Sequence, residues 1–181
     1  GSEMCIRDRL SVGTLRMQKR LRVILQAMAR LRNREQLHYV ICGEGPDMPF
    51  LQKLTRQLHL EERVHLLGYR TDIPDMLGAA DIFCMPSRRE GCGMAALEAM
   101  AAGLPLITVR SHGTKTYAEK GESGFCLKGD LVTSCADAIE QLADNKLLRR
   151  QMGARNRAAA AFSDADRMML LRGYYQKALG D

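Results

Sequence analysis

Tryptophan is absent from the 181 residues, and aromatic side chains make up only 5% of them. So few rings cannot build the stacking platforms that read single-stranded nucleic acid, and no nucleic-acid-binding motif is present. The net charge of +6 therefore does not point to a nucleic-acid partner. No apolar run approaches the roughly 18 residues of a membrane span. The N-terminal residues also lack the apolar stretch and small-residue site of a secretory signal. Six cysteines are present, but no two have C-x-x-C spacing and none lies near a histidine cluster, which argues against a zinc site or a disulfide framework. Cys42, Cys84 and Cys126 sit instead in apolar, strand-like runs, where a free thiol behaves as a small hydrophobe. A reducing cytoplasm is the simplest setting for them. There are only five prolines, no Pro/Gly-rich linker and no internal repeat, so one domain is expected.

What is present is an alternation of short apolar runs with longer helical patterns. LSVG (10–13) reads as a strand. Residues 19–34 place Leu21, Ile24, Leu25, Met28 and Leu31 on one stripe and read as an amphipathic helix. LHYVIC (37–42) is a strand ended by Gly43, and Asp47 is a candidate cap for a helix running to about residue 59. Strands are expected at 64–67, 81–85, 104–109 and 125–127. Helices are expected at 73–80, 93–102, 114–120, 131–143, 145–161 and 165–179. Strands that are apolar throughout and alternate with helices form a parallel sheet covered on both faces. The predicted fold is α/β: a doubly wound, mainly parallel, Rossmann-like sheet. Residues 1–9 fit no pattern and read as a tag or non-native segment, leaving the domain at 10–181. In such folds ligands bind beyond the carboxyl ends of the strands.

Positive charge is unevenly spread. Arg16, Lys19, Arg20, Arg22, Arg30, Arg32 and Arg34 crowd one stretch, and Lys146, Arg149, Arg150, Arg155 and Arg157 another. Such clusters face phosphates or an anionic membrane surface, or else are solvated helix faces. Both readings stand at this point.

The stretch most informative about chemistry is PSRREGCGMAALEAMAAGLP (86–105). It runs from a strand end through Glu90 and two glycines into a helix. Gly91 and Gly93 let backbone approach a ligand closely, and the free N–H groups of the helix's first turn favour an anion. A diphosphate suits such a loop. Glu98, one to two turns along, has the chemistry to accept two hydrogen bonds from a ribose diol. Glu90 has the chemistry to bind hydroxyls of an attached sugar. Glu98 reads equally as a solvated helix residue, although the surrounding alanines make this an unusually tight helix for one.

The two glutamates, with seven residues between them, resemble the paired glutamates of retaining glycosyltransferase family 4 and its E-G-[FL]-G…E-A-M-A-x-G-x-P pattern. CGEGPDMPFLQKL, VHLLGYRTDIPDMLGAADIFCMPSRREG and SHGTKTYAEKGESGFCL are similar to further stretches of the family, so the resemblance covers about residues 10–179. The wording is closest to the bacterial branch that makes exopolysaccharide and capsule. The resemblance implies the donor-binding, C-terminal half of a two-domain GT-B enzyme, without its N-terminal acceptor domain. It also implies a donor that is a nucleotide diphosphate sugar, UDP-linked, with no metal or other cofactor. The reaction implied is transfer of a hexosyl group to a lipid-linked or saccharide acceptor. The fragment alone would be inactive, and the full-length protein would be cytoplasmic with peripheral contact at the inner face of the plasma membrane.

Residue by residue, the resemblance gives Glu98 the ribose and Glu90 the donor sugar or the alpha-phosphate region. It gives the backbone of Cys92, Gly93 and Met94 the diphosphate and sugar, with Gly91 in the same donor-binding loop, and Tyr69 and Arg70 the border of the base. Lys19 would neutralise the diphosphate, beside Gly13 and Thr14 at the end of the first strand. Tyr69 and Arg70 read equally as surface loop residues, and Lys19 as a helix-start lysine. The chain departs from the family in four places. Thr14 stands for an arginine and Arg20 for a glycine. Cys92 stands for an aromatic or leucine, and Thr116 for an acid. Arg16 could supply the charge absent at Thr14, though from a different position. A non-catalytic nucleotide-sugar-binding module, or a split subunit needing a partner acceptor domain, is the alternative reading.

Overall fold

The computed structural model describes residues 7–91, 93–111, 114 and 123–160. Six strands form one parallel sheet: β1 (Arg7–Val12), β2 (Leu37–Cys42), β3 (Val64–Gly68), β4 (Ile82–Met85), β5 (Leu106–Val109) and β6 (Gly124–Leu127). Their order is β3-β2-β1-β4-β5-β6. This is the doubly wound Rossmann-like arrangement expected, in which the order reverses between β1 and β4. The helices are α1 (Leu21–Arg30), α2 (Met48–Gln57), α3 (Ile73–Ala79), α4 (Met94–Ala101), α5 (Leu131–Asp144) and α6 (146–160).

The strands are apolar throughout because both faces are covered. Ile82, Cys84 and Ile107 point to one side, into a core shared with α1, α2 and α5. Phe83, Met85 and Leu106 point to the other, where Leu77 of α3 and Ala96, Ala99 and Met100 of α4 pack. Asn156 of α6 fastens that helix to the sheet by donating from Nδ2 to Leu104 O at 2.6 Å and Ser123 O at 2.9 Å.

Three expectations need correction. The first strand begins at Arg7, not Leu10, so residues 7–9 belong to the fold: Arg7–Val12 pair in register with Leu37–Cys42. Second, the helix read from residue 19 is two elements, a 3-10 turn Met17–Lys19 and then α1. Arg20 separates them in a left-handed conformation (φ 54°, ψ 31°), which a continuous helix cannot contain. Third, Asp47 stands at the N-cap of α2 but its side chain makes no capping hydrogen bond. The expected helices at 114–120 and 165–179, and Thr116, lie outside the described residues.

Part of the basic charge is structural. Arg34 donates to Asp144 Oδ2 at 2.5 Å and Glu140 Oε1 at 3.0 Å, joining the end of α1 to α5, and these carboxylates raise its pKa. Arg149 is buried and donates to the carbonyls of Leu142 and Ala143. For these arginines the structural reading holds.

Candidate functional site

The carboxyl edge of the sheet carries the loops after β1, β2, β3, β4 and β5, and backbone contact fixes their mutual positions. Gly13 N donates to Cys42 O at 3.0 Å, and Leu15 N to Glu44 O at 2.8 Å. The loops lie so close that a Cβ on Gly43 (φ +143°) would sit 1.9 Å from Gly13 O. Leu15 is buried and anchors the β1–α1 loop in the core. The turn Met17–Lys19 then carries Lys19 back over Gly13. A Cβ there would make only ordinary contact with Lys19 Nζ, at 3.6 Å; it is the backbone, at φ +138°, that calls for glycine.

The loop after β4 meets this turn from the other side of the strand-order reversal. Arg88 N donates to Gln18 O at 2.7 Å, tying one loop to the other. Two residues later Glu90 accepts a hydrogen bond from Lys19 Nζ at 2.5 Å. The pair is sheltered, with side chains 19% and 11% exposed. Residues 71 apart in sequence thus form one charged unit.

Gly93 is the N-cap of α4, buried and left-handed (φ 63°, ψ 48°), a conformation that glycine enters without a steric penalty. No side chain caps the first turn of α4. Its leading amides and the positive end of the helix dipole therefore remain available to an anion.

These pieces enclose a cleft of about 490 Å³ between the β1 and β4 loops. Gly13, Thr14, Lys19, Glu90, Gly91, Gly93 and Met94 all line it, so most of the site residues picked out in the sequence come together. Arg16 lines it too, on the same wall as Thr14. Gln18 and Ala95 also line it and were missed. Ala95 follows from helix phase once Gly93 is known as the cap; nothing in the sequence signals Gln18. Glu98 is exposed and does not line the cleft. Tyr69 is 73% exposed on the β3–α3 turn, and the neighbouring Arg70 is paired with Asp72. Neither reaches the cleft wall. Cys92 lies outside the described residues. Among the described residues no group of three His, Cys, Asp or Glu gathers to hold a metal ion, and no helix is long and apolar enough to cross a membrane.

A strand-order reversal with a glycine-capped helix and a lysine–glutamate pair above it marks a Rossmann-like α/β domain with a charged cleft at the carboxyl edge of its sheet. Residues 7–159 match the sequence profile of the glycosyl transferases group 1, and the chain belongs to that family. The N-acetyl-alpha-D-glucosaminyl L-malate synthase of Bacillus anthracis is 32% identical over 149 residues, covering 82% of this chain and 39% of that protein. The pneumococcal O-GlcNAc transferase GtfA, solved in complex with UDP and GlcNAc, superposes with a TM-score of 0.83 at 20% identity, over 99% of this chain and 38% of its own. The C-terminal domain of a group 1 glycosyl transferase, LpcC from Francisella tularensis, gives a TM-score of 0.76 at 22% identity, over 86% of this chain and 84% of that domain. The chain spans less than half the length of the curated relatives it matches.

Proposed function

We propose that this chain is the donor-binding domain of a retaining GT-B glycosyltransferase of family 4. It holds a nucleotide diphosphate sugar, UDP-linked, from which a hexosyl group passes to a lipid-linked or saccharide acceptor in bacterial polysaccharide synthesis. The main part of the acceptor side is supplied by a further domain, and the chain alone transfers nothing. The whole protein works at the cytoplasmic face of the plasma membrane. The observation that carries the donor reading is the convergence of Lys19, Glu90 and the uncapped start of α4 on one cleft at the strand-order reversal. A uridine diphosphate donor is supported by the UDP bound to the solved relative GtfA.

In this reading the diphosphate lies over the backbone of Gly91, Cys92, Gly93 and Met94, beside Gly13 and Thr14. As the bond between the anomeric carbon and the diphosphate oxygen breaks, negative charge builds on the leaving diphosphate. Lys19 and the α4 amides stabilise it there, a preorganised electrostatic contribution that needs no metal. Arg16 adds a second cation on the wall where Thr14 offers none. Glu90 accepts hydrogen bonds from the sugar, and Glu98 from the ribose. Tyr69 and Arg70 border the base. For the last three, the nucleotide extends beyond the cleft along the carboxyl edge toward β3.

The test is a thermal-shift series with UDP, ADP, GDP and UDP-sugars in the absence of magnesium. A ligand that binds only the folded chain raises its melting temperature. UDP compounds are expected to shift the melting temperature, and to do so less in Lys19→Met. If millimolar UDP and UDP-sugars all leave it unchanged, the donor reading fails.

A further inference from the structure

Beside the donor cleft lies a larger groove, about 790 Å³, which the donor chemistry above touches only through Arg16. Five arginines line it: Arg16, Arg20 and Arg22 around the start of α1, and Arg88 and Arg89 from the loop after β4. Asp47 is the only carboxylate among the described residues that line it. Among the described residues, none of the five guanidinium groups makes an ion pair or a hydrogen bond, with Asp47 or any other group. Other arginines in the chain are engaged: Arg30 with Asp130, Arg34 with Glu140 and Asp144, Arg70 with Asp72. What sets the groove apart is that five arginines surround one concavity, and a walled concavity focuses their field.

Two further features bear on what the groove accepts. Arg20 holds a left-handed backbone (φ 54°) that glycine adopts freely, so a cationic side chain occupies the groove wall at a position where its presence strains the chain. Met17 (79% exposed) and Phe50 (49% exposed) line the same groove and offer it apolar surface. Arg16 and Gln18 are common to groove and cleft, and Arg89 adjoins Glu90, so the groove opens beside the place assigned to the donor sugar.

We infer that this groove is a second anion site, which holds a phosphate or diphosphate ester carried by the acceptor. The assignment to the acceptor rests on the donor reading above; the site itself rests on the unneutralised arginines. Guanidinium forks match phosphate oxygens bidentately, and the apolar wall suits the organic part of an ester. The ester is borne either by a soluble sugar or by a lipid.

The experiment uses the chain saturated with UDP, so that the donor cleft is filled. Inorganic pyrophosphate, glucose 1-phosphate and geranyl diphosphate are each titrated calorimetrically at several salt concentrations. One further equivalent is expected to bind, more weakly as salt rises. In Arg22→Ser/Arg89→Ser it should bind about tenfold more weakly, with UDP affinity and melting temperature unchanged. Geranyl diphosphate binding more tightly than glucose 1-phosphate, with the advantage lost in Met17→Ser/Phe50→Ser, supports a lipid-borne ester. Equal binding of the two supports a soluble one. The inference is overturned if UDP binds and no second equivalent follows, or if the arginine variant binds the second anion unchanged. It is also overturned if phosphatidylglycerol vesicles bind while no soluble phosphate does, because the surface would then be a membrane contact. If UDP does not bind, the donor reading fails separately, and the same titrations on the UDP-free chain still report on the groove.

Discussion

The Lys19–Glu90 pair sets a competition that one substitution exposes. In the free chain the ammonium is committed to a carboxylate at 2.5 Å, in a place where neither side chain is more than 19% exposed. In the proposed donor reading, a diphosphate entering the cleft draws on Lys19 while Glu90 contributes a like charge nearby. Glu90→Gln keeps the shape and an acceptor oxygen but removes the charge. A hydrogen bond to a charged acceptor is worth about 1.5–3 kcal/mol and a neutral one about 1 kcal/mol, so the competition falls by about 1–2 kcal/mol. Bare UDP is therefore expected to bind about tenfold more tightly to Glu90→Gln. A UDP-sugar gains less, because its sugar loses a charged acceptor. Titration calorimetry without magnesium reads both affinities. The same substitution in a Lys19→Met background should give a much smaller gain, since the pair is already broken and the two changes are coupled through direct contact. Weaker UDP binding to Glu90→Gln, or an equal gain with and without Lys19, would refute the competition.

Arg9 is fully buried; its Nε donates to His38 O at 2.7 Å while both terminal nitrogens lack partners among the described residues, and burial pushes its pKa down to about 10. Below that pH the charge is carried both folded and unfolded, so the whole penalty, roughly 3 kcal/mol, is present at neutrality and is relieved only as pH rises through about 10. Arg9→Leu is expected to raise stability by about 2–3 kcal/mol in urea unfolding at pH 7. Gly43→Ala should cost about 3 kcal/mol or more by the same assay, since its Cβ would lie 1.9 Å from Gly13 O at an unfavourable φ. His38, whose ring nitrogen lies 3.1 Å from that of His65, has a lowered pKa, first through burial and then through the charge of His65. The unfolded chain takes up this proton more readily than the folded one. Stability is therefore expected to fall as pH drops below about 6.5, and urea midpoints for His38→Gln should fall less steeply there.

Side-chain periodicity records which faces are buried, and where burial decides structure the sequence was easy to read. Leu37–Cys42 is apolar because helices cover it on both sides, and it is a strand with the bounds read from its residues. The start of β1 was missed for the converse reason. Asp8 and Arg9 look like solvent residues, yet pairing with β2 carries the Arg9 side chain into the core at an energetic cost. The start of α1 was misplaced because its stripe of leucines continues the phase of Lys19, while the left-handed residue that breaks the helix is an arginine and not the glycine that would announce it.

The cleft was legible by residue type but not by arrangement. Gly93 as a helix cap and Gly13 at a strand end follow from what glycine alone tolerates, and a lysine and a glutamate near them are the charges that phosphates and sugars call for. Their contact is a different matter, because it depends on order in space rather than order in sequence. The reversal between β1 and β4 places two distant loops side by side, and a bond from Arg88 N to Gln18 O sets their spacing. A bond between backbone groups can be made by nearly any pair of residues, so it leaves no trace in the sequence. Most of the cleft's geometry is held by such bonds and by the close approach of Gly43 to the Gly13 backbone. Substitutions that alter loop backbone should therefore disturb the Lys19–Glu90 unit more than conservative changes among the apolar residues of the strands beneath it.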